Sequence, residues 1–234
     1  MIIWLASYPR SGNTFLRMLL FHGYGIPTSS VHQDARLQKL GAADTIGHQP
    51  LPGSIAELAR SPELYFVKTH DLPSDNYPAL YVVRDGRDAL VSYARYQLTF
   101  QGGKSRLRTR VKDFFGGDSF RGVLQSLIVG SPFGTWSQHV LAWTRRENSV
   151  TFLIRYEDLV QAPERWVAQA LAALPVQPVA PTGFQSPDFA ALNARWPEFF
   201  RKGQVGAWRE EMPEDLQKLF WTHHGEAMRA LSYT

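Results

Sequence analysis

The chain has 234 residues, 44% hydrophobic and 20% charged, a length and composition that suit one globular domain with a sizeable core. It has no cysteine, which excludes disulfides, thiolate zinc sites and iron–sulfur clusters. The net charge of +4 is carried by one segment, Lys104, Arg106, Arg108, Arg110 and Lys112, without which the chain is close to neutral. A whole-surface nucleic-acid footprint is therefore not expected. No apolar run reaches membrane-spanning length, and the N-terminal run lacks the basic flank of a secretory signal. The expectation is a cytoplasmic protein with no membrane partner.

Taken in order, residues 2–7 (Ile-Ile-Trp-Leu-Ala-Ser) read as a strand buried on both faces. Pro9 and Gly12 end it, and Phe15, Leu16, Leu19 and Leu20 keep helical spacing beyond, with Asn13 or Thr14 as the expected cap. A strand–loop–helix junction of this kind points several backbone N–H groups at one spot, with the positive end of the helix behind them. It predicts an anion site, to which Arg10 adds a charge and Ser11 and Thr14 add hydroxyl donors. The loop is not a nucleoside-triphosphate P-loop, because the first Gly and the Lys of that pattern are missing.

Residues 23–62 read as loops with one short helix near 55–60. A second strand at 64–67 delivers Lys68, Thr69 and His70 at its end. A third, 79–83, ends at Arg84 and is followed by a helix holding Ala89, Leu90, Ser92, Tyr93 and Tyr96. Residues 101–132 are Gly-rich and basic, with an amphipathic piece at 120–128, and read either as a mobile lid over the acceptor pocket or as a solvated surface loop. Then come a helix at 136–145, a strand at 150–154, a helix at 163–174 opened by Pro163, a Pro-rich connector, and a final helix at 213–231. Strands alternating with helices predict an α/β fold with a central parallel sheet flanked by helices, as one domain over 1–234. Ligands of such sheets sit at the carboxyl ends of the strands. The loop at 8–14, Lys68–His70, Arg84–Asp88 and Arg155–Asp158 can then face one crevice.

Tyr8-Pro9-Arg10-Ser11-Gly12-Asn13-Thr14-Phe15 resembles the phosphosulfate loop, roughly Y-P-K-S-G-T-T-W, of sulfotransferases that use 3′-phosphoadenosine 5′-phosphosulfate (PAPS). Three more segments match in family order. Arg84 and Ser92, eight residues apart, resemble the family's Arg and Ser that hold the 3′-phosphate, and Phe199–Trp208 resembles R-K-G-x-x-G-D-W, with Arg201, Lys202 and Gly203 intact and Ala207 in place of Asp. Lys68-Thr69-His70 resembles K-T-H, with Asp71 inserted before the family's Leu-Pro.

The resemblance implies a PAPS-dependent sulfotransferase acting on a hydroxyl or amine of a small-molecule or natural-product acceptor, with 3′-phosphoadenosine 5′-phosphate (PAP) as product and no metal. It implies His70 as general base, an imidazole being suited to that task, with Arg10, Lys68 and Thr14 stabilising charge on the leaving phosphate. It implies nucleotide contacts from Arg10, Ser11, Gly12, Asn13, Thr14, Phe15, Arg84, Ser92, Tyr156, Arg201, Lys202 and Gly203. Tyr156 would meet the adenine, and Phe15 would replace the family's purine-stacking Trp with a smaller ring. Arg10 departs from the usual Lys, yet a leaving phosphate needs positive charge and no proton, which a guanidinium supplies. The alternatives are a nucleotide-dependent kinase, which the missing Walker lysine disfavours, and a non-catalytic nucleotide- or RNA-binding module, which leaves His70 unexplained.

Overall fold

A computed structural model describes residues 1–32, 41–100, 119–176, 180–184, 188–197 and 203–234. Its centre is a five-stranded, wholly parallel sheet: β1 (Ile2–Ser7), β2 (Ser29–Ser30), β3 (Tyr65–Thr69), β4 (Ala79–Val83) and β5 (Thr151–Arg155), in the order β2-β3-β1-β4-β5. The expected α/β class with a central parallel sheet is the class observed. Alternation along β1 explains why its residues are apolar throughout. Ile2, Trp4 and Ala6 join one core layer and Ile3 and Leu5 the other, so neither face meets water.

Helices α1 (Asn13–Tyr24) and α8 (Pro163–Ala172) cover one face through Leu16, Leu19, Leu20, Val167 and Leu171. The other face lies under α4 (Gly86–Phe100), α5 (Ser119–Val129), α6 (Trp136–Thr144) and α11 (Glu214–Ala230), with Leu90, Leu124, Trp136, Trp143 and Phe220 at its centre. Short helices α2 (Ala43–Ile46), α3 (Ile55–Arg60), α7 (Tyr156–Gln161), α9 (Phe189–Arg195) and α10 (Trp208–Glu211) complete the described residues. Helix α3 has the expected bounds and a full capping box between Ser54 and Glu57.

The chain leaves β1 toward β2 on one side, and leaves β4 toward β5 on the other. The connections therefore diverge between β1 and β4, opening the crevice where sheets of this kind take ligands.

Several boundaries differ from expectation. Neither Asn13 nor Thr14 caps α1; Gly12 is the N-cap, with no side chain of its own to bond the first N–H groups of the helix. The Asn13 amide is committed elsewhere, donating to the Leu5 carbonyl at 2.8 Å and the Ser7 hydroxyl at 3.3 Å. It ties the helix back to the strand it follows. Strand β3 continues through Lys68 and Thr69, so only His70 lies beyond its end. The strand Ser29–Ser30 and the helix Ala43–Ile46 lie where loops were expected, and both are too short for a periodic signal. The basic run 104–112 lies outside the described residues, as does the 101–118 part of the expected lid; the remainder begins with helix α5.

Candidate active site

Four strand ends deliver the candidate residues. After β1, the loop 8–12 turns through two left-handed residues, Arg10 (φ 67°) and Gly12 (φ 106°). At Gly12 the geometry admits no side chain, because a Cβ would enter the ring of Tyr156, the first residue of the helix after β5. That contact joins two strand ends with no space between them. The Ser11 hydroxyl is buried and has no partner among the described residues. A buried donor without an acceptor is costly. Thr14 and Phe15 are half-buried on the first turn of α1, the phenyl ring packed against the apolar layer.

Arg84, just past β4, is buried and holds several groups at once. Its Nη1 donates to the Arg10 carbonyl at 3.3 Å and its Nη2 to the Gln204 carbonyl at 2.9 Å, while the guanidinium lies 4.7 Å from the Tyr156 ring centre. Its Nε is buried and has no partner among the described residues. Ser92, two turns into α4, accepts from Arg10 Nε at 3.4 Å, and Arg10 stacks over Tyr96 at 4.9 Å. Arg10, Arg84 and Ser92 thus form one cationic group.

The segment 203–208 is drawn to the same place. Asp88, almost fully buried, accepts from Gly206 N at 2.7 Å and Trp208 N at 2.9 Å, and Tyr156 Oη donates to the Gly203 carbonyl at 3.2 Å. Ala207, standing where the resemblance has Asp, is the N-cap of α10 and makes no side-chain cap bond. Asp88 satisfies the Trp208 N–H instead, so the missing carboxylate leaves no orphan there. Arg201 and Lys202 lie outside the described residues.

The third group is His70. Its Nδ1 is 2.7 Å from the carbonyl oxygen of Ser7. A carbonyl only accepts, so Nδ1 carries the proton and Nε2 keeps its lone pair. Burial holds the imidazole well below its usual pKa, and the Lys68 charge pushes the same way, against the opposing bond to Ser7. His70 is therefore neutral at pH 7. His32 stacks on it with ring centres 6.1 Å apart, and Phe133 meets both rings edge-on at 5.8 and 5.6 Å. The inserted Asp71 lies 3.2 Å from His32 Nε2. Among the described residues no cluster of His, Asp and Glu could hold a metal ion, and no helix is long and apolar enough to cross a membrane.

Residues 2–177 match the family model described as Sulfotransferase domain, three quarters of the chain. The chain belongs to that family. It is similar to Sulfotransferase 1E1 of Mus musculus, 25% identical over 96% of this chain and 82% of that protein. It also resembles WSCD family member CG9164 of Drosophila melanogaster, 29% identical over 69% of this chain and 46% of that one. In fold it resembles mouse sulfotransferase SULT7A1 complexed with PAP, with TM-score 0.59, 19% identity, and coverage of 97% and 84%. A second likeness is to retinol dehydratase in complex with androsterone and inactive cofactor PAP, with TM-score 0.61, 18% identity, and coverage of 97% and 80%.

For a sulfotransferase-family site, the sequence reading missed Asp88, Ser7, Glu157 and the His32–Phe133 pair. Glu157 accepts from the Asp85 N–H at 3.1 Å and the Tyr233 hydroxyl at 2.9 Å, bracing the loop after β4. Asp88 also lies 3.7 Å from Arg84, four residues before it on the chain, beside its larger task. Ser7 acts through its backbone carbonyl, which no side-chain pattern reports.

Proposed function

We propose that this protein transfers the sulfuryl group of PAPS to a hydroxyl or amine of a small-molecule or natural-product acceptor, releasing PAP. The observation that carries the reading is the bond from His70 Nδ1 to the Ser7 carbonyl at 2.7 Å, at the root of the anion loop. It leaves a neutral imidazole with its Nε2 lone pair available beside a cationic crevice. Family membership and the solved relatives complexed with PAP support the same donor.

Chain residues suit such a donor. The Ser11 hydroxyl and Arg84 Nε, buried and without partners among the described residues, are donors suited to anionic acceptors. In this reading Arg84, Ser92, Arg201, Lys202 and Gly203 take the 3′-phosphate. The backbone of Arg10–Thr14 takes the 5′-phosphosulfate, and Tyr156 and Phe15 contact the base. His70 Nε2 accepts the acceptor's proton as its oxygen or nitrogen attacks sulfur in line. The new bond to sulfur forms as the bond from sulfur to the bridging oxygen breaks, and that oxygen leaves with the electron pair on PAP. Arg10 and Lys68 stabilise the charge gathering there. The departing group is already a phosphate anion, so fixed positive charge suffices.

The test is incubation of the protein with PAPS and a panel of phenols, alcohols and amines, read by mass spectrometry for a sulfo-group gain. Turnover in the presence of a chelator is the expected result. Transfer from ATP with none from PAPS would support a kinase instead.

A further inference from the structure

We propose that His139 is a positioning residue for His70, acting through the backbone: it fixes the His70 carbonyl so that the imidazole keeps its bond to Ser7. This rests on His70 being the base. Helix α6 carries His139 and Trp143 one turn apart, facing the end of β3. His139 Nε2 is 2.9 Å from the His70 carbonyl, and Trp143 Nε1 donates to the Asp71 carbonyl at 3.0 Å. Two successive carbonyls, just where the chain leaves the sheet, are thus held by two side chains of one helix. Without them both would lie beside a buried aromatic layer with no ladder partner.

The hydrogen bonds can run in only one direction. The His70 carbonyl accepts, so His139 carries its proton on Nε2. Its Nδ1 then has only a lone pair, and Tyr81 Oη, 2.8 Å away, must donate to it. Tyr81 lies in mid-strand on β4 and stacks on His139 with ring centres 5.7 Å apart. His139 is wholly buried and further wedged against Tyr8 at 5.7 Å, so the ring has no room to turn. A chain of fixed donors therefore runs from Tyr81, through His139, to the backbone of the base. His70 is held from both ends, its ring by β1 and its carbonyl by α6. His139 touches no reacting atom in this scheme.

The test compares His139→Leu, His139→Gln, Tyr81→Phe and the wild type as full chains. Long-range proton–nitrogen NMR of the imidazoles reads the tautomer of His70, whose signal is assigned by its loss in His70→Gln. PAP affinity and, with an acceptor found in the panel, kcat are measured on the same samples. His139→Leu should move His70 from pure Nδ1–H toward mixed tautomers and lower kcat by about 10²-fold, the scale of a small misplacement, with PAP affinity unchanged. His139→Gln keeps an N–H at about the position of Nε2 and should recover most of both. Tyr81→Phe should shift His70 the same way, without adding to the His139→Leu effect. A folded His139→Leu protein whose His70 keeps its tautomer overturns the proposal, as does equal damage from Gln and Leu. Should His139→Leu fail to fold, an unshifted His70 in Tyr81→Phe overturns it equally. Full transfer by His70→Ala would instead refute the base assignment, and the tautomer spectra would still decide whether α6 positions the ring.

Discussion

His70 Nδ1 and the Ser7 carbonyl oxygen lie 2.7 Å apart, although the two residues come from the ends of neighbouring strands β1 and β3. The contact commits one imidazole nitrogen to the scaffold and leaves the other for chemistry. His70→Ala should therefore lose transfer by roughly 10²–10⁴-fold while PAP affinity stays at the wild-type level. Titration of PAP beside steady-state rates separates the two effects. A parallel fall in affinity would mean that His70 belongs to the donor site.

The same surroundings set a pH dependence. His139 and His224 are both buried, which pushes each down to about 4, and His70 is lowered in the same direction. Between pH 6.5 and 4 the unfolded chain binds protons that the folded chain does not, so stability falls as the solution is acidified through that window. His139 and His224 each contribute up to about 3 kcal/mol of the loss by pH 4. Urea unfolding at a series of pH values should show this slope, and His224→Gln should flatten part of it. A stability that stays level from pH 7 to 4.5 would contradict the neutral, buried state of these rings.

Much of this was readable in the chain, and the reasons differ by feature. Strands β1 and β4 were legible because every residue is apolar and both faces are covered, and the lengths fall between clear breakers. The parallel sheet followed from the α/β alternation, and with it the convergence of the 8–14 loop, His70, Arg84 and Tyr156 at strand ends; the strand order, with β2 at one edge, did not. What the sequence hid were contacts made by backbone atoms or by residues far apart in the chain. The Ser7 carbonyl, the Asp88 grip on Gly206 and Trp208, and the His139–His70 bond span 63, 118, 120 and 69 residues. None leaves a local pattern. Short elements such as α2 and α10 are set by tertiary contacts, not by periodicity.

Gly12 is a backbone position that cannot accept a side chain. Gly12→Ala places a methyl group in the Tyr156 ring at a φ of 106°, which L residues rarely adopt. The backbone term alone is on the order of 1–3 kcal/mol, and the loop must open to relieve the clash. Thermal unfolding should report the loss of stability, with PAP no longer raising the melting temperature. Wild-type PAP response in this variant would show that the loop geometry is not what binds the donor.

Asp88 should matter to nucleotide affinity without touching nucleotide. Its carboxylate orders the backbone of Gly206 and Trp208 and lies 3.7 Å from Arg84. Asp88→Ala should weaken PAP strongly and adenosine 5′-phosphate little, because the loosened segment carries Arg201, Lys202 and Gly203 of the proposed 3′-phosphate site. Mass action converts this into a smaller PAP-induced rise in melting temperature. Equal weakening of both nucleotides would move the 3′-phosphate away from this segment.

Arg10 gives a prediction in which stability and activity separate. Its backbone sits at φ 67°, a conformation that costs a residue with a Cβ about 1–2 kcal/mol. Against that stand the bond to Ser92 and the stacking on Tyr96, both on the rim of the crevice. Arg10→Gly removes those contacts and the strain together, so the melting temperature should change little. Arg10→Met keeps the strain and a long side chain but loses the charge, and should be the less stable of the two. Both should lose transfer by about 10²–10³-fold, the usual effect of deleting one electrostatic donor at a leaving group, whereas Arg10→Lys should retain much of the rate. Single-turnover transfer at saturating PAPS, beside thermal unfolding, reads both axes in one set of proteins. If Arg10→Gly transfers at the wild-type rate, the left-handed turn exists for the fold alone and the cation that assists the leaving phosphate must be Lys68.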